Sequence, residues 1–194
     1  RRTPVAGVAR IEVVAPDVEA VTMAGSGMLR VDTMNGEEVD VTVAGSGTLD
    51  IGRVEKDLRG AIDSLLVRDE VTSARVGTVG FCMGGQLSLY AACENASVGA
   101  CVVFYGIHPK VTPNLSTLEA PVLGFFAEKD EFVPPAAARR LEADLKTAGK
   151  SVDITVFEGA DHAFFNDTRA QAYHAAYAAT CWSRTLAFYR EHVR

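Results

Sequence analysis

The segment from residue 76 to residue 92 changes from strand-like to helix-like composition around a single cysteine. It begins as Val76-Gly77-Thr78-Val79 and ends as Leu87-Ser88-Leu89-Tyr90-Ala91-Ala92. Between these runs, Gly80-Phe81-Cys82-Met83-Gly84 fits the Gly-x-nucleophile-x-Gly elbow, with cysteine where most versions carry serine. The pattern predicts a strand, a sharp turn and a helix, with small residues on either side because the strand and the helix pass closely.

Cys82 is the candidate nucleophile of this elbow. The strained turn lifts its side chain clear of the sheet, and the N-terminus of the following helix brings partial positive charge and free N–H groups beside the sulfur. We therefore expect this thiol to ionise more easily than a free one. The alternative is a buried structural cysteine, the commoner fate of this residue type, but the flanking glycines and the strand-to-helix change favour the nucleophile.

Composition excludes several classes of protein. The chain has 194 residues, 48% of them hydrophobic, which suits one domain or a domain with a small appendage. A net charge of -6 argues against a nucleic-acid partner, because phosphate binding needs a basic face. No apolar run in the sequence is long enough to cross a bilayer, so we expect a soluble protein without a membrane partner.

The other cysteines are Cys93, Cys101 and Cys181, each in apolar or alanine-rich surroundings. No C-x-x-C pair occurs, so spacing predicts no zinc site, and we expect neither a metal nor a cofactor. An even number of cysteines could form two disulfides, but a chain of this size does not need them. Packed free thiols in a reducing cytoplasm are the preferred interpretation.

Residues 1–52 contain an internal repeat. The run Val18–Val31 is echoed by the run Val39–Ile51, and each copy has an alternating stretch, a Gly-Ser-Gly turn and a second alternating stretch. The repeat spacing is 20 residues (from Ser26 to Ser46), which is typical of repeated hairpins or solenoid coils. These copies weakly resemble the short β-repeats of adhesin-type proteins. A phosphate cradle at the Gly-Ser-Gly turns is disfavoured because neither a strand-to-helix change nor a lysine follows.

Strand-like and helix-like patterns alternate from residue 53 onward. Helices are predicted over about 53–68, 84–93, 135–148 and 169–192, and strands over 76–81, 100–105, 121–127 and 152–157. This order predicts an α/β fold, a partial α/β three-layer sandwich with a mostly parallel sheet, preceded by a short β-repeat segment. We expect the domain boundary between residues 52 and 53, and the functional site at the carboxyl ends of the strands.

Three reactive side chains follow three of the predicted strands in the order Cys82, Asp130, His162. Nucleophile, acid and histidine in this order are typical of the α/β-hydrolase triad. The thiolate would attack a carbonyl, the imidazole would accept and return a proton, and the carboxylate would orient the imidazole.

Other residues could take the place of the acid or the base. Glu128, Glu131 and Asp161 are alternatives to Asp130 on sequence grounds. His162 is favoured over His108, which precedes a proline in a loop, and over two histidines of the predicted final helix, His174 and His192.

The segments Val76–Gly85, Ala127–Asp130 and Gly159–Asn166, with the closing run from Ala172 to Phe188, resemble the dienelactone hydrolase family. The resemblance covers about residues 53–194. It implies an α/β-hydrolase fold and a cysteine hydrolase that acts on small lactones or activated esters, without metal or cofactor. It also implies Cys82 as the nucleophile, Asp130 as the orienting acid, His162 as the base and the N–H of Met83 as an oxyanion donor.

The chain departs from the family pattern in its first 52 residues. No residue there matches the family's second oxyanion donor or the acid that restrains its resting thiol. An alternative function is therefore a binding or scaffold protein in which part of a hydrolase fold is joined to a β-repeat. The sequence specifies neither the substrate nor the oligomeric state.

Overall fold

A computed structural model describes residues 20–24, 40–44, 51–69 and 71–194. Within them, six strands and four helices follow one another along the chain. The elements are β1 (Ala20–Ala24), β2 (Asp40–Ala44), α1 (Ile51–Leu66), β3 (Val76–Phe81), α2 (Met83–Glu94), β4 (Val98–Phe104), β5 (Val122–Ala127), α3 (Pro135–Thr147), β6 (Val152–Phe157) and α4 (Ala175–His192).

The strands form one sheet in the order β1-β2-β3-β4-β5-β6, and every described pair is parallel. Because neighbouring parallel strands run the same way, the carboxyl ends of β3, β5 and β6 lie along one edge of the sheet, where the three reactive side chains are expected. The α/β class and the parallel sheet that the sequence predicts are confirmed. No helix in the described part of the chain is both long enough and apolar enough to span a bilayer.

Two hydrophobic cores cover the two faces of the sheet. One packs α4 against the sheet around Phe104, Phe125 and Tyr189. The other packs α1, α2 and α3 against the opposite face around Leu89, Val103 and other buried aliphatic residues. β4 reads as a continuous apolar run because both of its faces are covered, and all seven of its residues are buried.

The sequence repeat of the first 52 residues appears in the pairing of β1 with β2. Ala20 pairs with Asp40 and Ala24 pairs with Ala44, an offset equal to the 20-residue period of the repeat. β2 in turn lies parallel to β3, where Thr42 pairs with Val79. The first strands of the two copies therefore belong to the same sheet as the elbow strand. The Gly-Ser-Gly turns and the second arms of the predicted hairpins lie outside the described residues.

The helix bounds differ from the prediction mainly at the start of the last helix. It was expected near residue 169, but α4 begins at Ala175, after turns in which the N–H groups of Ala172 and Tyr173 donate to the carbonyl of Arg169. The N–H of His174 donates to the Phe164 carbonyl, and its imidazole accepts from the N–H of Tyr177 as the N-cap. These tertiary and capping bonds override the helical propensity of 169–174, so His174 caps α4 and does not lie within it.

Two glycines allow the elbow to close. A Cβ atom on Gly80 would lie 1.8 Å from the carbonyl oxygen of Gly84, and one on Gly106 would lie 2.3 Å from the carbonyl oxygen of Cys82. Both neighbours are backbone atoms, which cannot rotate away. The absence of side chains therefore sets how closely β3, α2 and the end of β4 approach one another.

We predict that Gly80→Ala destabilises the fold severely, by more than about 3 kcal/mol, because the backbone would have to move to accept the methyl group. Urea unfolding of purified variants measures this change in the free energy of unfolding.

Gly60→Ala provides the matched control in the middle of α1. No atom lies within 4 Å of the position that its Cβ would occupy. We expect it to stabilise the helix by about 0.5–1 kcal/mol. Equal effects of the two substitutions would contradict the close approach at the elbow.

Candidate active site

The backbone of Cys82 adopts a left-handed conformation that few non-glycine residues accept. Its φ is 55° and its ψ is −126°, and α2 begins at the next residue. The N–H of Cys82 donates to the Phe104 carbonyl at 3.0 Å, and its carbonyl accepts from the N–H of Gly85 at 3.0 Å. These bonds hold the strained residue between β4 and α2, and its side chain is exposed. This is the geometry that the elbow pattern predicts.

Asp130 is held by both of its carboxylate oxygens. Oδ1 accepts hydrogen bonds from the N–H groups of Phe132 and Val133, each at 2.8 Å. Oδ2 lies 2.7 Å from Nδ1 of His162. The carboxyl side chain is fully buried. A buried carboxylate with two backbone donors and an imidazole partner is fixed in position.

His162 lies in the loop after β6, between two residues with positive φ. Gly159 has a φ of 69° and Ala163 a φ of 66°. Nδ1 is bonded to Asp130, and the imidazole also lies close enough to the Cys82 thiol for each group to shift the pKa of the other. Asp130, His162 and Cys82 therefore lie together at one site, with His162 between the other two in its interactions.

The contact between Cys82 and His162 changes the ionisation of both groups. The hydrogen bond to His162 lowers the pKa of the Cys82 thiol below its ordinary value of 9.0, against the opposing effect of burial, and the N–H of Met83 adds to the lowering. Burial alone would lower the pKa of His162, but the hydrogen bonds to Asp130 and Cys82 outweigh it and raise the pKa to about 9. Both shifts favour a thiolate beside an imidazolium.

The other three cysteines differ from Cys82 in environment. All are free and buried. Burial is the main cause that raises the pKa of Cys93 to about 12, of Cys101 to about 11 and of Cys181 to about 12. Their thiols stay protonated near neutrality, as expected for packed structural cysteines.

The alternative acids that the sequence left open lie elsewhere. The Glu128 carboxylate accepts from the N–H of Gly159, while Glu131 and Asp161 are exposed. Asp130 is thus the carboxylate that contacts His162.

The alternative histidines also have other neighbours. Nδ1 of His108 accepts from the N–H of Lys110, His174 caps α4, and His192 lies near Glu191.

Two aromatic residues at the site were not singled out by sequence reasoning. Tyr105, buried with a φ of 39°, directs its ring edge-on toward the imidazole of His162 at a centroid distance of 5.0 Å. Phe132 does the same at 5.1 Å, but 79% of its surface is exposed. The available signals in the sequence were that Tyr105 directly follows β4 and that Phe132 lies two residues after Asp130. Only the tertiary structure shows that both rings contact the histidine.

Among the described residues, no group of three or more His, Cys, Asp or Glu side chains is arranged to hold a metal ion.

A parallel sheet with helices on both faces and a strained nucleophile elbow defines the α/β-hydrolase class. Within that class, the model of the dienelactone hydrolase family matches residues 19–193. The chain belongs to the dienelactone hydrolase family. The match confirms the likeness inferred over residues 53–194, and it also takes in residues 19–52, which were expected to lie outside it.

Named relatives agree with this placement. "Protein usf" of Aquifex pyrophilus is 32% identical over 73% of this chain and 62% of its own length. A "Putative carboxymethylenebutenolidase" of Methylorubrum extorquens is 32% identical over 72% of this chain and 51% of its own length. The crystal structure of a "Putative Dienelactone Hydrolase" from Klebsiella pneumoniae is 31% identical, with a TM-score of 0.63 over 70% of this chain and 60% of that one. The chain therefore spans about half to three-fifths of the length of these relatives.

We predict that limiting iodoacetamide alkylates Cys82 before the other three cysteines. Because the pKa of Cys82 is lowered, its thiolate forms at a lower pH than that of an ordinary cysteine, so the rate should rise through a midpoint below pH 9.0. Peptide mapping after alkylation at a series of pH values measures both the order and the midpoint.

His162→Ala is the matched variant, because it removes the cause that lowers the pKa most. The alkylation midpoint should then move upward. Uniform labelling of all four cysteines, or first labelling of Cys181, would contradict the assignment of the elbow.

Proposed function

We propose that the chain is a cysteine hydrolase that cleaves small lactones or activated carboxylic esters. Cys82 is the nucleophile, His162 is the general acid and base, and Asp130 orients the imidazole. The observation that carries this proposal is that His162 is hydrogen-bonded to the buried Asp130 and lies beside the exposed thiol of Cys82, whose pKa it lowers. Membership of the dienelactone hydrolase family supports the reaction class.

The first half of the proposed reaction transfers the acyl group to sulfur. The thiolate of Cys82 attacks the carbonyl carbon, a C–S bond forms, and the carbonyl oxygen becomes an oxyanion. When the oxyanion collapses, the C–O bond to the leaving group breaks and the imidazolium of His162 gives the leaving oxygen its proton. For a lactone, the leaving oxygen remains on the same molecule, so the thioester carries a free hydroxyl or enol.

The second half hydrolyses the thioester. The now neutral His162 takes a proton from water, whose oxygen attacks the thioester carbonyl, and the C–S bond breaks to release the carboxylic acid and the thiolate. Throughout, Asp130 stabilises the charged imidazole through Nδ1. No metal or cofactor enters these steps.

Oxyanion stabilisation is the expected weakness of the site. The N–H of Met83, the first residue of α2, helps to lower the pKa of Cys82 and lies at the helix N-terminus, where it could donate to the oxyanion. The N–H of Cys82 itself is already bonded to Phe104. Absence of one oxyanion donor typically costs a factor of about 10²–10³ in turnover, so we expect slow hydrolysis from a site with the Met83 donor alone.

The exposed ring of Phe132 points to the chemistry of the leaving group. Its edge-on contact with His162 places an apolar surface beside the residue that protonates the leaving oxygen. An apolar or aromatic leaving group would cover that surface and remove it from water. We therefore propose activated esters with such leaving groups as the preferred substrates.

We also propose that the protein works in a reducing compartment such as the cytoplasm, because its four cysteines are free thiols.

We predict measurable but slow hydrolysis of p-nitrophenyl acetate. Cys82→Ala and His162→Ala should abolish it, because each removes a group that forms or breaks a bond. Asp130→Asn should lower kcat by at least about 10²-fold, because the amide cannot stabilise the imidazolium. Stopped assays with each variant, with mass spectrometry to locate the acyl adduct on Cys82, measure these effects.

An unchanged rate in Cys82→Ala would show that the activity comes from another site. The scaffold or binding-protein alternative would then take precedence. Turnover as fast as that of an efficient esterase would show instead that a second donor comes from residues outside the described part of the chain.

We also predict that Phe132→Ala lowers kcat/KM for p-nitrophenyl acetate more than for methyl acetate, by roughly fivefold, since only the first has an aromatic leaving group. Phe132→Leu should retain most of the preference because it keeps an apolar side chain. An equal loss for both esters would contradict this role of Phe132 and leave the triad assignment in place.

A further inference from the structure

The loops that carry Asp130 and His162 are joined by a side chain outside the triad. Oε2 of Glu128, the first residue after β5, accepts a hydrogen bond from the N–H of Gly159 at 2.8 Å. Glu128 lies two residues before the acid, and Gly159 lies three residues before the histidine. This bond therefore connects the two loops close to both functional side chains.

Backbone bonds run beside it. The N–H of Glu128 donates to the Phe157 carbonyl at 3.0 Å, and the N–H of Lys129 donates to the Ala160 carbonyl at 2.9 Å. Both are donated by the loop that carries Asp130; the first is accepted by the last residue of β6 and the second by the loop that carries His162. The Glu128 side chain adds a bond in the opposite direction, so that residues 128–129 are bonded at three points to the end of β6 and the loop that follows it.

The histidine loop depends on such external bonds because its own backbone is unfavourable. Ala163, directly after the histidine, has a φ of 66°, a conformation that is strained for a residue with a Cβ. The loop also turns at Gly159, which has a φ of 69° and whose N–H donates to the Glu128 side chain.

We propose that Glu128 is a positioning residue of the proposed hydrolase. Through its hydrogen bond to Gly159, it holds the loop after β6 in the position in which Nδ1 of His162 is bonded to Asp130 and the imidazole lies beside Cys82. The action is that of a hydrogen-bond acceptor at a fixed distance, and the negative charge is not required. This inference rests on the proposed function for its kinetic readout, but its second readout, the ionisation of Cys82, does not need turnover.

Three substitutions separate distance from charge. Glu128→Ala removes the acceptor, Glu128→Gln keeps a carbonyl acceptor at the same distance without charge, and Glu128→Asp keeps the charge but withdraws the acceptor by one methylene. Glu131→Ala is the matched control, because it removes an exposed carboxylate from the same loop. Each variant is assayed for kcat and KM with p-nitrophenyl acetate, for the pH midpoint of Cys82 alkylation, and for its thermal unfolding.

We expect Glu128→Ala and Glu128→Asp to lower kcat by on the order of tenfold, with KM within about twofold, because a small displacement of the base weakens proton transfer more than binding. Their alkylation midpoints should move upward, since His162 then stabilises the thiolate less. Glu128→Gln and Glu131→Ala should stay within about twofold of the unaltered chain in kcat, with the original midpoint.

Other results would overturn the proposal. If Glu128→Gln lowered kcat as much as Glu128→Ala does, the negative charge of Glu128 would be what supports the reaction, and its hydrogen bond would not be sufficient. A lower unfolding temperature with unchanged kcat and midpoint would show a purely structural bond. If Glu128→Ala does not fold, Glu128→Asp decides the question; if the unaltered chain does not hydrolyse esters, the proposed function fails and the alkylation midpoints alone decide the role of Glu128.

Discussion

The close approach of three backbone segments at the elbow is the constraint on which the candidate site depends. Gly80 and Gly106 leave no room for a Cβ, and this lets α2 start directly beyond the strained Cys82. The strain is tolerated because hydrogen bonds to Phe104 and Gly85 fix the backbone on both sides. The sulfur is thereby held at the helix N-terminus and next to His162, so the same packing that closes the fold also sets the ionisation of the nucleophile.

The electrostatic pairing then separates one cysteine from the other three. Cys82 has an imidazole and a helix N-terminus as neighbours, whereas Cys93, Cys101 and Cys181 have mainly apolar surroundings that oppose ionisation. Four residues of one type therefore have two kinds of chemistry within one domain. The difference comes from what surrounds each sulfur, and its signs in the sequence were the glycines that flank Cys82 and the change from strand-like to helix-like composition around it.

The regular elements were largely predictable, and the contacts across the site were not. The strands at 76–81 and 152–157 have the predicted bounds because both are short runs rich in β-branched and aromatic residues. The predicted start of α4 was wrong because the N–H of His174 donates to the Phe164 carbonyl and not to a residue of the preceding turn, which outweighs local helix propensity. Chain order was sufficient to select Cys82, Asp130 and His162 as candidates. It could not reveal the contacts of Tyr105 and Phe132 with His162 or the hydrogen bond between Glu128 and Gly159, which join segments that are remote in sequence.

The two carboxylate oxygens of Asp130 have different partners, and this links the formation of the site to the folding of a neighbouring turn. One oxygen organises the turn that leads into α3, and the other organises the imidazole. The carboxylate cannot rotate to favour one partner without releasing the other. The turn and the histidine are therefore ordered together, so the histidine is aligned only in molecules in which this turn is folded.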